Sequence, residues 1–204
     1  MAAWPGARFP IIAVCTGNIC RSPTLDVVLK TKLAAAGLSP ADFPMASSGT
    51  SGHRGWCADP RTTRVALAAG YAAIADHRGR PLCDDDFSGL LLGLDKGHLR
   101  ELHESARAGK LPCNARLAMD FAGFSAGALR KGVDVGDPYY EDDCAFPAVL
   151  KMCEDSADGV VAALQRCRAL NIRAEGGALM AALMGDLEAL RTGGGGSGGG
   201  AAAR

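Results

Sequence analysis

The chain has 204 residues, with 22 lysines and arginines balanced by 22 aspartates and glutamates. That balance, with no Lys/Arg run, excludes a basic field for nucleic acid. The opening MAAWPGARFP lacks an apolar stretch of signal-peptide length and FPIIAV is too short to span a bilayer, so a cytoplasmic protein with no membrane partner is expected.

FPIIAV is a continuous apolar run of strand length, as in a central parallel strand covered on both faces. A helix follows, with Ser22 as N-cap, Pro23 at its first position, Leu25, Val28, Leu29 and Leu33 on one face, and Gly37 as the stop. FPMASS is a second strand. Asp59 caps a helix that opens at Pro60 and runs to Gly70, and CDDDF reads as an exposed helix start. GLLLGL is a third strand, the stretch from Asp95 to Arg107 is helical and closes near Gly109, and ARLAMDF is a fourth strand. A long loop over 123–143 carries GDPYYEDD, and a helix runs from Phe146 to Leu170. Past 171 the character changes. AEGGALMAALMGDLEALR is a further helix that packs on the domain or joins two chains, with packing favoured, and TGGGGSGGGAAAR is a flexible tail. The alternation of strands and helices predicts an α/β fold, a parallel sheet with helices on both faces. Ligands bind such sheets at the carboxyl ends of the strands. The segment CTGNICRSP, residues 15–23, lies there.

The eight cysteines form no Cys-x-x-Cys pair and no zinc-finger spacing, so neither a metal nor a disulfide scaffold is expected, and no cofactor motif is present. Cys15 and Cys20 differ from the rest by position. A backbone that curls into a helix N-terminus presents N–H groups to a tetrahedral oxyanion. Thr16, Gly17, Asn18, Ile19, Cys20, Arg21 and Ser22 make up that curl. Gly17 allows close approach, Asn18 tolerates the left-handed backbone, and Arg21 is a planar fork for two phosphate oxygens. The same amides and guanidinium favour a thiolate at Cys15, which the Ser22 hydroxyl also supports. No Gly-Lys-Ser/Thr ending is present, which disfavours nucleotide and magnesium. Asp137, stiffened by Pro138, supplies the acid that a thiolate attack on a phosphate ester needs.

VCTGNICRSP, SSGTSG, ADPR, DHRGR, GLDKGHLREL and GDPYY, in this order, resemble the low-molecular-weight protein tyrosine phosphatases over roughly residues 9–170. The resemblance implies a four-stranded parallel sheet and metal-free hydrolysis through a cysteinyl-phosphate, with Cys15 as nucleophile, Arg21 as phosphate clamp and Asp137 as general acid. It further implies a supporting network of Asn18, Ser22, Ser48, His77 and Asp95, and a cleft walled by Tyr139 and Tyr140. The partners are then phosphotyrosine proteins, with inorganic phosphate as product. Cys20 either forms a protective disulfide with oxidised Cys15, as the resemblance suggests, or is a packing residue. The chain so divides into a phosphatase domain (1–170), a helical extension (171–191) and a Gly/Ala-rich tail (192–204).

The 49–58 segment departs from the family pattern. It is shorter, with His53 near the place of the usual aromatic residue and Trp56 later, so the second wall of the cleft, drawn from Ile19, His53 and Trp56, is open. Three other readings stand beside this one. A thioredoxin-coupled arsenate reductase needs two further cysteines on a mobile segment; Cys83 could be one, but no second cysteine follows it before Cys113. A protein arginine phosphatase carries Thr where this chain has Ile19. A catalytically weak phosphotyrosine-binding module would hold phosphate without turnover. His53, His98 and His103 otherwise read as solvated or packing residues, the last two on a helix surface.

Overall fold

The structure, a computed structural model, describes residues 8–172 and 177–193. Residues 1–7, 173–176 (with the start of the expected AEGGALMAALMGDLEALR helix) and the tail from 194 onward, with the expectations attached to them, lie outside the described residues. Strand β1 (Ile11–Cys15) runs into α1 (Arg21–Ala35), followed by β2 (Met45–Gly49), α2 (Pro60–Ala68), β3 (Leu90–Gly93), α3 (Lys96–Gly109), β4 (Ala115–Leu117), α4 (Ala145–Ala169), α5 (Ala178–Met184) and α6 (Leu187–Thr192). The four strands form a sheet in the order β2-β1-β3-β4, with every neighbouring pair parallel. The order reverses direction at β1, where β2 lies on one side and β3 on the other, and the end of β1 therefore opens into the crevice where parallel sheets bind ligands.

Both faces of the sheet are buried, which is why the two central strands, β1 and β3, are apolar throughout rather than alternating. Ile11, Ala13, Cys15, Leu90 and Leu92 face a core with Leu25, Val28 and Leu29 of α1 and Cys153, Val160 and Leu164 of α4. Ile12, Val14 and Leu91 face the opposite way, onto Leu102 and Ala106 of α3. Residues two apart along a strand share a face, so the nucleophile candidate Cys15 belongs to the α1/α4 side.

Three expectations are corrected. The fourth strand has only three residues, because the chain turns at Ala118–Phe121 into a 3-10 helix. There the Ser156 hydroxyl donates to the Ala118 carbonyl at 2.7 Å, and Gly159 of α4 sits so close that a Cβ would lie 1.8 Å from the Phe121 carbonyl oxygen. The CDDDF segment is a 3-10 turn, Asp84–Ser88, whose Asp86 is buried rather than exposed. The single helix expected past 171 is two short ones, broken at Gly185. Asp186 accepts a bond from the Glu188 amide and so starts the second. Leu179, Leu183, Leu187 and Leu190 from this pair are buried in the same cluster as α1 and α4. Arg116 at the sheet edge donates to the carbonyls of Leu183 and Gly185, the latter at 2.8 Å, and so satisfies the end of α5. No helix among the described residues is long and apolar enough to cross a membrane.

Candidate active site

The loop from Thr16 to Ser22 is held from outside by its carbonyl groups. The Cys15, Thr16 and Gly17 carbonyls accept from the amides of Thr50, Ser51 and His53 at 2.9, 3.0 and 3.3 Å, and the Ile19 carbonyl accepts from Asp59 at 2.8 Å. The Asn18 carbonyl accepts from His77 Nε2 at 2.8 Å, so that nitrogen carries the proton. Among the described residues, none of the backbone N–H groups from Thr16 to Ser22 donates to a protein acceptor. Carbonyls tied outward and amides left free make a cup of donors at the start of α1, the arrangement that binds a tetrahedral anion. Gly49 lets the end of β2 press against the loop, since a Cβ there would stand 2.4 Å from the Thr16 carbonyl oxygen.

Asn18 is fully buried and has φ of 56°, the left-handed backbone its residue type tolerates. Its side chain is the hub of the loop. Nδ2 donates to Ser22 Oγ at 2.9 Å and to Ser47 Oγ at 3.0 Å, and Oδ1 accepts from the Arg80 amide at 2.9 Å. Ser48 takes part only through its carbonyl, which lies 3.2 Å from Ser22 Oγ, while its own hydroxyl is buried without a partner. The side-chain role expected of Ser48 therefore belongs to Ser47. Arg80 is clamped by Asp86 through two bonds of 2.9 and 2.7 Å.

Ser22 is not the helix cap. The helix begins at Arg21, the preceding Cys20 makes no side-chain cap bond, and the Ser22 hydroxyl lies 3.0 Å from Cys15 Sγ. It has one proton to give, to the sulfur or to the Ser48 carbonyl. Arg21 is 5% exposed and its fork is divided, with Nη1 on Asp95 Oδ2 at 2.7 Å and Nη2 on Asp137 Oδ2 at 2.9 Å. Asp95 caps α3 by accepting from the His98 amide at 2.8 Å. Burial works against its ionisation, but the His98 amide and the charge of Arg21 outweigh that and hold its carboxyl below the usual range.

Cys15, Thr16, Gly17, Ile19, Cys20, Arg21, His53, Asp137, Tyr139 and Tyr140 line one cavity of about 260 Å³. Every residue expected in the loop, the acid and the tyrosine wall is thus gathered at the end of β1, apart from the buried Asn18 and Ser22 that support it from behind. Trp56 is corrected. It stacks on His53, with ring centroids 4.1 Å apart and an interplanar angle of 17°, but stands outside the cavity, and His53 provides the wall. Tyr139 and Tyr140 meet edge to face across from it. Cys20 is buried and unpaired, and desolvation pushes its pKa up to about 12.

His98 is also corrected. It is 2% exposed rather than on a helix surface, with Nε2 2.9 Å from Thr16 Oγ1 and Nδ1 3.0 Å from Asp95 Oδ1. Burial pushes its pKa, like that of His77, below the ordinary value. His103 is exposed as expected and pairs with Cys113 Sγ at 3.3 Å. Sequence reasoning also missed Ser47, Arg80 and Asp86.

A Cys-x5-Arg loop of free amides closing the central strand of a parallel sheet, with a carboxylate facing it on the arginine, is a site of the phosphomonoesterase class. The family model described as "Low molecular weight phosphotyrosine protein phosphatase" matches residues 10–170. A low molecular weight protein-tyrosine-phosphatase of Streptomyces coelicolor is 37% identical over 163 residues, covering 77% of this chain and 94% of that one. Low molecular weight protein-tyrosine phosphatase A of Mycobacterium tuberculosis is 34% identical over 149 residues, covering 72% and 86%. Among solved structures, a protein tyrosine phosphatase from Entamoeba histolytica superposes with a TM-score of 0.66 at 27% identity, covering 78% of this chain and 99% of that one. The chain belongs to the low molecular weight phosphotyrosine protein phosphatase family.

Proposed function

We propose that the protein hydrolyses phosphotyrosine in protein substrates by way of a cysteinyl-phosphate on Cys15. The observation that carries this reading is the cup of unpaired amides from Thr16 to Ser22 above Cys15 Sγ, closed by the Arg21 guanidinium. In the first step the Cys15 sulfur forms a bond to phosphorus as the ester P–O bond breaks, and Asp137 gives its proton to the departing phenolic oxygen. In the second, water attacks phosphorus, its proton passes to Asp137, and the S–P bond breaks with inorganic phosphate as product. The Ser22 hydroxyl, fed by the Asn18 amide, turns from the Ser48 carbonyl to the sulfur when the thiolate leaves. Asp137 is paired with Arg21; a phosphate dianion that takes over Arg21 releases that carboxyl for proton transfer.

Ile19 with Tyr139 and Tyr140 gives the cavity flat apolar sides, which suit an aryl ring better than a guanidinium and favour phosphotyrosine over phosphoarginine. The eight cysteines are all unpaired, consistent with a reducing, cytoplasmic setting. Cys15→Ser is expected to lose all measurable hydrolysis of aryl phosphate while still binding inorganic phosphate. Retained turnover would end the enzymatic reading, and a wild type that binds phosphate without releasing phenol would identify a binding module.

The site is also redox-sensitive in this reading. Peroxide converts the Cys15 thiolate to a sulfenic acid, and Cys20 condenses with it to a disulfide, releasing water. Burial pushes the Cys20 thiol up to about 12, so it stays protonated at neutral pH and is not itself the site of peroxide attack. After peroxide treatment, thiol reductant should restore wild type more fully than Cys20→Ser; equal recovery removes the protective role.

A further inference from the structure

We propose that His98 is a positioning residue for the phosphate-binding loop, tying Thr16 to the same carboxylate that aims Arg21. This rests on the reading of residues 15–22 as a phosphate site. The two oxygens of Asp95 divide the work. Oδ2 accepts from Arg21 Nη1 at 2.7 Å, while Oδ1 accepts the His98 amide at 2.8 Å and lies 3.0 Å from His98 Nδ1. On the far side of the ring, Nε2 reaches Thr16 Oγ1 at 2.9 Å, across 82 residues of sequence. A histidine buried only for packing would satisfy itself within its own helix. This one spans from the first turn of α3 to the residue that follows the nucleophile.

The proton on the ring can be assigned. A bare nitrogen lone pair against a carboxylate oxygen is repulsive, so Nδ1 carries the hydrogen even though it sits too far off line for a full hydrogen bond to Asp95. Nε2 is then an acceptor, and the Thr16 hydroxyl donates to it. Burial keeps the ring neutral near pH 7, in keeping with one donor and one acceptor nitrogen.

The consequence is mechanical. Thr16 is exposed and sits between Cys15 and the free amides of the cup, so its side chain needs an external hold if those amides are to keep their aim. His98 supplies that hold, and through Asp95 the hold is joined to Arg21. Loss of the tie loosens the loop around the reacting phosphoryl group more than it weakens substrate encounter. It therefore lowers kcat more than it raises KM.

The test is a cycle of Thr16→Val, His98→Ala and His98→Gln in the full chain, read by aryl phosphate kinetics and by the Kd of inorganic phosphate. Thr16→Val and His98→Ala are each expected to lower kcat about three- to ten-fold, the range for one lost hydrogen bond. The double variant should be no worse than the poorer single one. His98→Gln places an amide oxygen where Nε2 was. It should recover most of the loss when Thr16 is present and none in the Thr16→Val background. Effects that multiply, a glutamine no better than alanine, or unchanged kcat in both single variants would overturn the proposal. If His98→Ala fails to fold, the glutamine and valine variants and their double complete the same comparison. If wild type shows no turnover, the enzymatic reading fails separately, and the cycle in phosphate affinity still decides the role of His98.

Discussion

Two stretches of chain meet above Cys15, and they are held in opposite ways. The loop over 15–22 is anchored through nearly every carbonyl, to the 49–59 segment, to His77 and through Asn18 to Ser47 and Arg80. It is a template whose shape is fixed by bonds within the protein. The segment that bears Asp137 is tethered largely through side chains of other elements. Arg21 holds Asp137, Arg61 of α2 donates to the Tyr139 carbonyl at 3.0 Å and the Glu141 carbonyl at 3.3 Å, and the Asp137 carboxylate is 45% exposed. The loop is thus fixed by its own backbone, whereas the segment of Asp137 is placed by two arginines, one of which the proposed mechanism hands to the substrate. In the proposed mechanism, binding of the dianion and delivery of the acid are coupled through Arg21, which holds Asp137.

The comparison breaks most visibly at the acid. Asp137→Asn removes the proton donor and leaves the template intact, so hydrolysis of a phenyl phosphate should fall by ~10²–10⁴-fold. Affinity for inorganic phosphate should stay level or rise, since Arg21 is no longer shared. The defect should shrink as the leaving phenol becomes more acidic; a loss independent of the leaving group would assign proton transfer elsewhere. Arg61→Ala is a smaller disturbance on the same side. Its guanidinium also lies 4.5 Å from the Phe146 ring centroid, so its removal frees the Tyr139 backbone and should raise KM for aryl phosphates a few-fold while phosphate affinity is unchanged. Equal weakening of phosphate would mean that Arg61 acts on the loop through Asp59, whose amide holds the Ile19 carbonyl.

The same division explains what could be read before the fold was known. The template is local. A strand, a curl of residues that tolerate a left-handed backbone, an arginine and a helix start lie within nine consecutive positions, and the β-α alternation places them at the mouth of the sheet. Asp137 was legible from its Asp-Pro-Tyr-Tyr context. What escaped depended on register and on which side of a turn faces inward. Ser47 and Ser48 are adjacent, and only the pairing of Val14 with Ser48 and Cys15 with Gly49 along β1 and β2 decides which hydroxyl meets Asn18. Ser22 satisfies the rule for a helix cap, yet a tertiary demand from the loop claims its hydroxyl. His98 lies on an amphipathic helix whose polar residues are mostly solvated. The available signal was its spacing from Asp95, because a residue three beyond an aspartate N-cap sits in the first turn, beside the strand ends. Trp56 was too coarse a guess, since the turn at His53–Trp56 sends the smaller ring to the cavity and stacks the larger one behind it.

The smallest expected effect belongs to the anchored half and is read in stability rather than turnover. His77 holds the Asn18 carbonyl, and its burial lowers its pKa, with Asp26 opposing that shift while Lys30 and Arg78 add to it. An unfolded histidine titrates near 6.5. Between that value and the lower folded one the unfolded chain binds more protons, so the contribution of His77 is fully present above about pH 6.5 and is lost as pH falls through the folded pKa. Asp26 slopes the other way, since burial raises its pKa and acidification relieves an unfavourable charge. The carboxyls of Asp59 and Asp95, both shifted down, contribute stability that is lost only at pH below the ordinary carboxylate range. Thermal midpoints at pH 7.5 and 5.5 span the window where the buried histidines lose stability and Asp26 gains it, so the share of His77 is read as the difference between wild type and variant. His77→Gln keeps an N–H donor for the Asn18 carbonyl but cannot take up a proton, so the variant should lose less stability than wild type over that interval, the remainder being the sum of the His98 loss and the opposing Asp26 gain. Identical losses in the two proteins would show that the tie between His77 and the loop carries no proton linkage.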